Sequence, residues 1–119
     1  MADSASALEI DGAQAAALIA AGDALVLDVR EDYEREAGRI PGSVHIPLAE
    51  LPTRAGELDR ERELIVYCRA GVRSLMAAQA LDGAGFRAVS LAGGLLDWAA
   101  EGRPLEPAGA SVANHGVGP

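Results

Sequence analysis

Residues 64–81 read LIVYCRAGVRSLMAAQAL. With Glu63 in front, the run to Tyr67 is continuously apolar, as in a parallel strand covered on both faces. Past Arg73, apolar side chains at Leu75, Met76, Ala80 and Leu81 fall at helical spacing. A strand closing at Tyr67 and a helix opening near Arg73 or Ser74 leave a connection of six residues, 68–73. It begins with Cys68, the only cysteine of the chain, and holds Arg69, Ala70, Gly71, Val72 and Arg73. In open α/β sheets ligands sit beyond the carboxyl ends of the strands, which is where this places the thiol.

Working outward, the same alternation continues in both directions. Residues 11–22 predict a helix, with Asp11 as cap, Gln14 in the capping-box position and Gly22 as terminator. Residues 24–29, ALVLDV, read as a buried strand, and REDYEREAG as a short polar helix stopped by Gly38. A Pro-Gly turn at 41–42 leads to a brief strand near 44–46, closed by Pro47. Residues 48–60 read as a loose helical connection. The helix after the cysteine ends at Gly83 and Gly85; FRAVSL is a further strand, and GGLLDWAAEG a last helix with Leu95 and Trp98 on one face. From about Pro104 the composition is Pro, Gly, Ala and Ser without periodicity, which predicts a frayed tail. Strands alternating with helices predict one α/β domain with a mostly parallel central sheet and helices on both faces.

Composition narrows the function. A chain of 119 residues, half of them apolar, is one domain with a real core built from Leu, Ile, Val and Ala. The net charge of −8 argues against nucleic acid or an anionic membrane as partner, but not against a small anion, which feels its local surroundings. All ten basic residues are arginine. One cysteine makes no internal disulfide, and His45 and His115 lie too far off in sequence to form a metal cluster with it, so neither metal nor cofactor is expected. The N-terminus lacks signal-peptide features and no run approaches a membrane span, so a cytoplasmic setting is the default.

The tight turn after the strand can curl backbone N–H groups inward, and the helix that follows adds its N-terminal donors and dipole. A sulfur at that centre is expected to be held as thiolate, with a pKa below the free value of about 8.5. Gly71 permits a positive φ or a close backbone approach. Arg69 can face an incoming anion. Arg73, a cation at a helix start, calls for an anion nearby. Such a thiolate attacks a sulfur or a phosphoryl group without a general base. His45 is given a surface or supporting role.

These residues resemble the rhodanese family in its small single-domain form. VLDVREDYEREAGRIPGSVHIPL (26–48) is similar to its first signature, IVYCRAGVRS (65–74) to its active-site loop, and LAGGLLDWAAEGRPL (91–105) to its closing segment. The resemblance covers about residues 8–105, leaving 106–119 as an irregular C-terminal tail. It implies a sulfurtransferase in which Cys68 carries a persulfide and Arg69, Ala70, Gly71, Val72 and Arg73 form the substrate loop. It implies supporting roles for Asp28, Arg30, Ser74 and Trp98, with Gly93 and Gly94 near the loop. Related phosphatases and arsenate reductases use a longer loop, Cys-x5-Arg; Cys-x4-Arg here suits a single sulfur, and a basic residue at 69 resembles members that use thiosulfate. The pattern departs at Arg39, where the family carries histidine, and at His45, where asparagine is frequent.

The expected activity is transfer of a sulfane sulfur from thiosulfate, or a similar anionic donor, through Cys68 to cyanide, a thiol or a thioredoxin-like protein. The competing readings are a persulfide carrier serving cofactor or tRNA sulfuration, a phosphatase or arsenate reductase, and a non-catalytic binding domain. A monomer or weak homodimer is expected.

Overall fold

In β4 (Glu63–Tyr67), Leu64 and Val66 point to one side of the sheet and Ile65 and Tyr67 to the other, and all four are fully buried. A strand with two apolar faces needs a layer on each, and the chain supplies them. The computed structural model describes residues 8–114. Along it run β1 (Glu9–Ile10), α1 (Gly12–Ala20), β2 (Ala24–Asp28), α2 (Asp32–Ala37) and β3 (Val44–His45). A connection of short 3₁₀ turns around α3 (Leu51–Arg54) follows, then β4, α4 (Val72–Gly83), β5 (Arg87–Leu91) and α5 (Gly94–Ala100).

The sheet is wholly parallel, in the order β1-β5-β4-β2-β3. On one face α4 and the 48–58 connection cover Leu27, Val29, Leu64 and Val66; on the other α1, α5 and the segment after it cover Val26, Ile65, Tyr67 and Leu91. The register sets Asp28 beside Tyr67 and carries the ladder one bond further, Val29 N–H donating to Tyr67 O at 3.2 Å. The carboxyl ends of β2 and β4 therefore finish side by side, and the residues that follow them are neighbours.

The predicted fold class holds, and the expected elements are present within a residue or two of their expected ends. The α1 capping box forms in both directions, Gln14 N–H to Asp11 at 2.8 Å and Asp11 N–H to Gln14 at 2.9 Å. Two differences matter. The two-residue β1 is not expected from sequence; it exists because β5 offers it an edge, with Glu9 opposite Ser90 and Ile10 opposite Leu91. The segment after Pro104 has no regular element but is not frayed as far as Asn114. Arg39 and Glu106 exchange backbone hydrogen bonds at 2.9 Å each, Ser111 N–H donates to Ala37 O at 2.9 Å, and Leu105 and Val112 pack against the core. The remaining tail residues, 115–119, lie outside the described residues, as does His115. No helix among the described residues is long and apolar enough to cross a membrane.

Leu64→Ala empties a fully buried position beneath α4 and is expected to cost about 2–5 kcal/mol. Met76→Ala, on the exposed side of the same helix, is expected to stay within about 0.5 kcal/mol. Urea unfolding of both variants with an unchanged m-value checks the contrast.

Candidate active site

The thiol of Cys68 sits one residue past β4 and is 1% exposed. Its loop is shaped from the side by α5. Leu95 N–H donates to Cys68 O at 2.9 Å and Leu96 N–H to Arg69 O at 3.0 Å, so free donors of a helix start take the first two loop carbonyls. This approach is possible only because residue 94 is glycine: a Cβ there would collide with Arg69 O and lie 2.7 Å from Cys68 O. Gly71, at φ 103°, turns the chain into α4 in a backbone conformation that favours glycine.

With those carbonyls held by α5, two backbone donors reach the sulfur: Gly71 N–H at 3.1 Å and Ser74 N–H at 3.4 Å. The convergence is narrower than the sequence reading of amides from 68 to 73, and one donor comes from the first turn of α4 rather than from the loop. The Ser74 hydroxyl lies 3.4 Å from Sγ and 2.8 Å from the hydroxyl of Ser90, a fully buried residue of β5. Hydroxyls rotate to suit their partners. With a negatively charged sulfur, Ser90 can donate to Ser74 and Ser74 to Sγ, making a third donor.

The arginines divide sharply. Arg73, expected to face substrate, instead forks onto Glu34 with bonds of 2.8 and 2.9 Å. The anion that its place at a helix start calls for is thus supplied by the protein. The hydrogen bonds Arg73 donates to Glu34, together with the charge of that carboxylate, raise the Arg73 pKa above its ordinary value against the opposing effect of burial. Glu34 is fully buried in α2 and also takes the N–H of Glu31 at 3.0 Å. Arg69 donates through Nη2 to Asn114 at 3.1 Å, while its buried Nε has no partner among the described residues. Ala70 and Val72 are exposed on the rim. Arg39 turns toward Glu106, at 3.4 Å.

Beneath the loop lies a second network, at the ends of β2 and β4. Arg30 and Asp28, both fully buried, pair through bonds of 2.8 and 2.9 Å, and Arg30 also holds Gly38 O at 2.7 Å. Burial alone would lower the Arg30 pKa, but the bonds and charge of Asp28 outweigh it and hold it above its ordinary value. Arg35 reaches Asp28 at 3.3 Å and Ser43 O at 2.6 Å. The Tyr67 hydroxyl donates to Asp28 at 3.0 Å, accepts from Ile40 N–H at 3.1 Å and meets Ser43 at 3.1 Å. Burial first, and then the charge of Asp28, push the Tyr67 pKa up to about 12. His45 makes its bond to Arg30 O at 2.7 Å, not to Cys68. Trp98 is buried in the core, its Nε1–H donating to Pro104 O at 2.8 Å.

The structure therefore gathers Cys68, Gly71 and Ser74 around the sulfur, sets Asp28 and Arg30 below, and places Gly94 alongside. The sequence reading missed Glu34, Ser90, Tyr67 and Asn114. None of these carried a local sign: Glu34 is one of several acids in its stretch of sequence, and the anion Arg73 calls for is not singled out among them.

The model of the rhodanese-like domain matches residues 11–101. A sulfurtransferase of Allochromatium vinosum is 36% identical over 84 residues, which cover 70% of this chain and 78% of that one. The thiosulfate sulfurtransferase GlpE of Coxiella burnetii is 33% identical over 93 residues, covering 77% and 87%. The crystal structure of a rhodanese-related protein from Thermoplasma volcanium superposes with a TM-score of 0.79 at 35% identity, covering 82% of this chain and 96% of that one.

Two outcomes follow from the geometry. Tyr67 ionises near 10 when unfolded and about 12 when folded, so its contribution is complete below pH 10 and is lost as pH climbs toward 12. Chemical denaturation across that range should show a steeper fall in the parent than in Tyr67→Phe. Glu34→Gln leaves Arg73 without its counter-charge. Breaking a buried pair costs about 3–5 kcal/mol, and the lower end is expected because Arg73 keeps some contact with water; thermal unfolding measures it.

Proposed function

The chain belongs to the rhodanese-like sulfurtransferase domain family, and from that premise we propose that it moves a sulfane sulfur from thiosulfate through a persulfide on Cys68 to a thiol acceptor. The observation that carries this reading is the convergence of Gly71 N–H and Ser74 N–H on Sγ at the carboxyl end of β4.

In the first step the Cys68 thiolate attacks the outer sulfur of thiosulfate. A new S–S bond forms, the bond from that sulfur to the sulfonate sulfur breaks, and its electron pair leaves with sulfite. In the second step an acceptor thiolate attacks the outer sulfur of the persulfide; the S–S bond to Cys68 breaks and the thiolate is regenerated. Negative charge resides on sulfur in the loop before, between and after the steps. Fixed N–H donors favour that charge at every stage and need no rearrangement. No general base is needed because no proton is removed in either displacement.

Two features favour sulfur over a tetrahedral oxyanion as the transferred group. The loop from Cys68 to Arg73 has only four residues between them, and the Arg73 fork is filled by Glu34. An arginine with both arms on a carboxylate has no fork left for phosphate or arsenate.

Incubation with thiosulfate and intact-mass measurement is expected to show one added sulfur atom, absent in Cys68→Ser and discharged by a thiol with release of sulfite. Failure of any sulfur donor, thiosulfate or protein persulfide, to load Cys68 would sink the reading. Loading by a protein persulfide but not by thiosulfate would replace the donor and turn the assignment toward a carrier.

A further inference from the structure

At this end of the sheet, the arginines around the loop are mostly ion-paired. Arg30 and Arg35 share Asp28, Arg73 holds Glu34 and Arg39 faces Glu106. Arg69 is different. Among the described residues it makes no ion pair, and its partner is the neutral side-chain carbonyl of Asn114, at 3.1 Å. A neutral acceptor anchors one arm of a guanidinium without neutralising it. The buried Nε–H is left without a partner, a donor still to be satisfied. Arg69 also directly follows Cys68, and its carbonyl is fixed by Leu96 N–H at 3.0 Å, so its backbone cannot drift from the thiol.

Asn114 is brought to Arg69 by a segment tied down at several points. The backbone exchange between Arg39 and Glu106 begins it, Leu105 and Val112 bury apolar surface, and Ser111 N–H bonds Ala37 O. Gly38 leaves room for the crossing: a Cβ there would strike Ser111 O and lie 3.0 Å from Ser111 N. An unanchored arginine disperses its charge over many rotamers. Here the chain places a carbonyl, 45 residues away in sequence, to hold one.

We infer that residues 104–114 belong to the site, and that Asn114 is a positioning residue holding Arg69 beside Cys68 as the charge that selects anionic reagents. Only the identity of the natural anion rests on the sulfur-transfer reading above; with thiosulfate, the Arg69 charge attracts the sulfonate. The segment is then a specificity element, and its effect is on anions alone.

The test uses the full chain and two alkylating probes of similar size, iodoacetate and iodoacetamide, one anionic and one neutral. The readout is the ratio of their second-order rate constants at Cys68. Asn114→Ala is expected to lower the iodoacetate-to-iodoacetamide ratio by about threefold or more, with the iodoacetamide rate unchanged. Asn114→Asp should lower it at least as far, because a carboxylate cancels the Arg69 charge. In an Arg69→Ala background Asn114→Ala should have no further effect, whereas Asn114→Asp should still slow iodoacetate because its carboxylate then stands uncompensated. With thiosulfate, Asn114→Ala should raise KM and leave kcat in place. An unchanged ratio in Asn114→Ala, or a drop in that variant that persists without Arg69, overturns the inference. A lowered ratio in a protein that no sulfur donor loads would retire the proposed function and leave this role standing; loading with an unchanged ratio would do the reverse.

Discussion

The arrangement around Cys68 depends on two hydrogen bonds from the first turn of α5, which hold the carbonyls of Cys68 and Arg69 at 2.9 and 3.0 Å. By holding the first two carbonyls of a tight loop, a neighbouring helix fixes the course of the backbone that follows, and Gly71 N–H meets the sulfur. The course of the loop is thus set by an element that comes 26 residues later in sequence than the thiol, counting from Cys68 to Gly94. α5 in turn is placed by Leu95 and Trp98, both buried against the sheet. Core packing fixes the helix, the helix fixes the loop, and the loop fixes the sulfur's donors.

A second constraint comes from two buried carboxylates. Asp28 holds Arg30 and Arg35 at the end of β2, and Glu34 holds Arg73 at the start of α4. Buried ion pairs are weak sources of net stability, because desolvation offsets most of the attraction. Their value lies in what they forbid. A shift of α2 relative to α4 would strand Glu34 or Arg73, and a shift of β2 relative to β4 would part Tyr67 from Asp28. Each alternative leaves a charge or a hydroxyl buried and unpaired, so the loop has one seat. The two networks are linked through the short polar helix α2, which contributes both Glu34 and Arg35.

Much of this was open to reading. β4 declared itself by five residues of continuous strand character, α1 by its capping box, and the junction at Cys68 by the change of hydrophobic period across it. These signals are local, and local signals survive in a single sequence. What escaped was long-range. Glu34 and Arg73 are 39 residues apart, and so are Asp28 and the Tyr67 hydroxyl. No periodicity announces such pairs. β1 is too short to have a pattern and exists only as an edge partner of β5. The segment after Pro104 looked loose because its composition lacks periodicity, yet its backbone groups find partners on Ala37 and Arg39. Irregular sequence predicts irregular conformation; it says nothing about whether that conformation is docked.

The electrostatics of the molecule then work at two ranges. The net charge of −8 repels a small anion at a distance, but salt screens that repulsion beyond about 8–10 Å. Nearer the thiol the arginines give less help than their number implies, because Asp28, Glu34 and Glu106 cancel most of them. At the loop itself the contributions are short-ranged: two N–H dipoles aimed at the sulfur, and one guanidinium held by a neutral amide. An anion gains little from this field until it is already in the loop, where contact geometry decides. Cancelling the surrounding arginines thus does more than stabilise the scaffold. It confines attraction to the neighbourhood of Cys68, so that, for the anionic donor proposed above, fit to the loop rather than charge alone would govern entry.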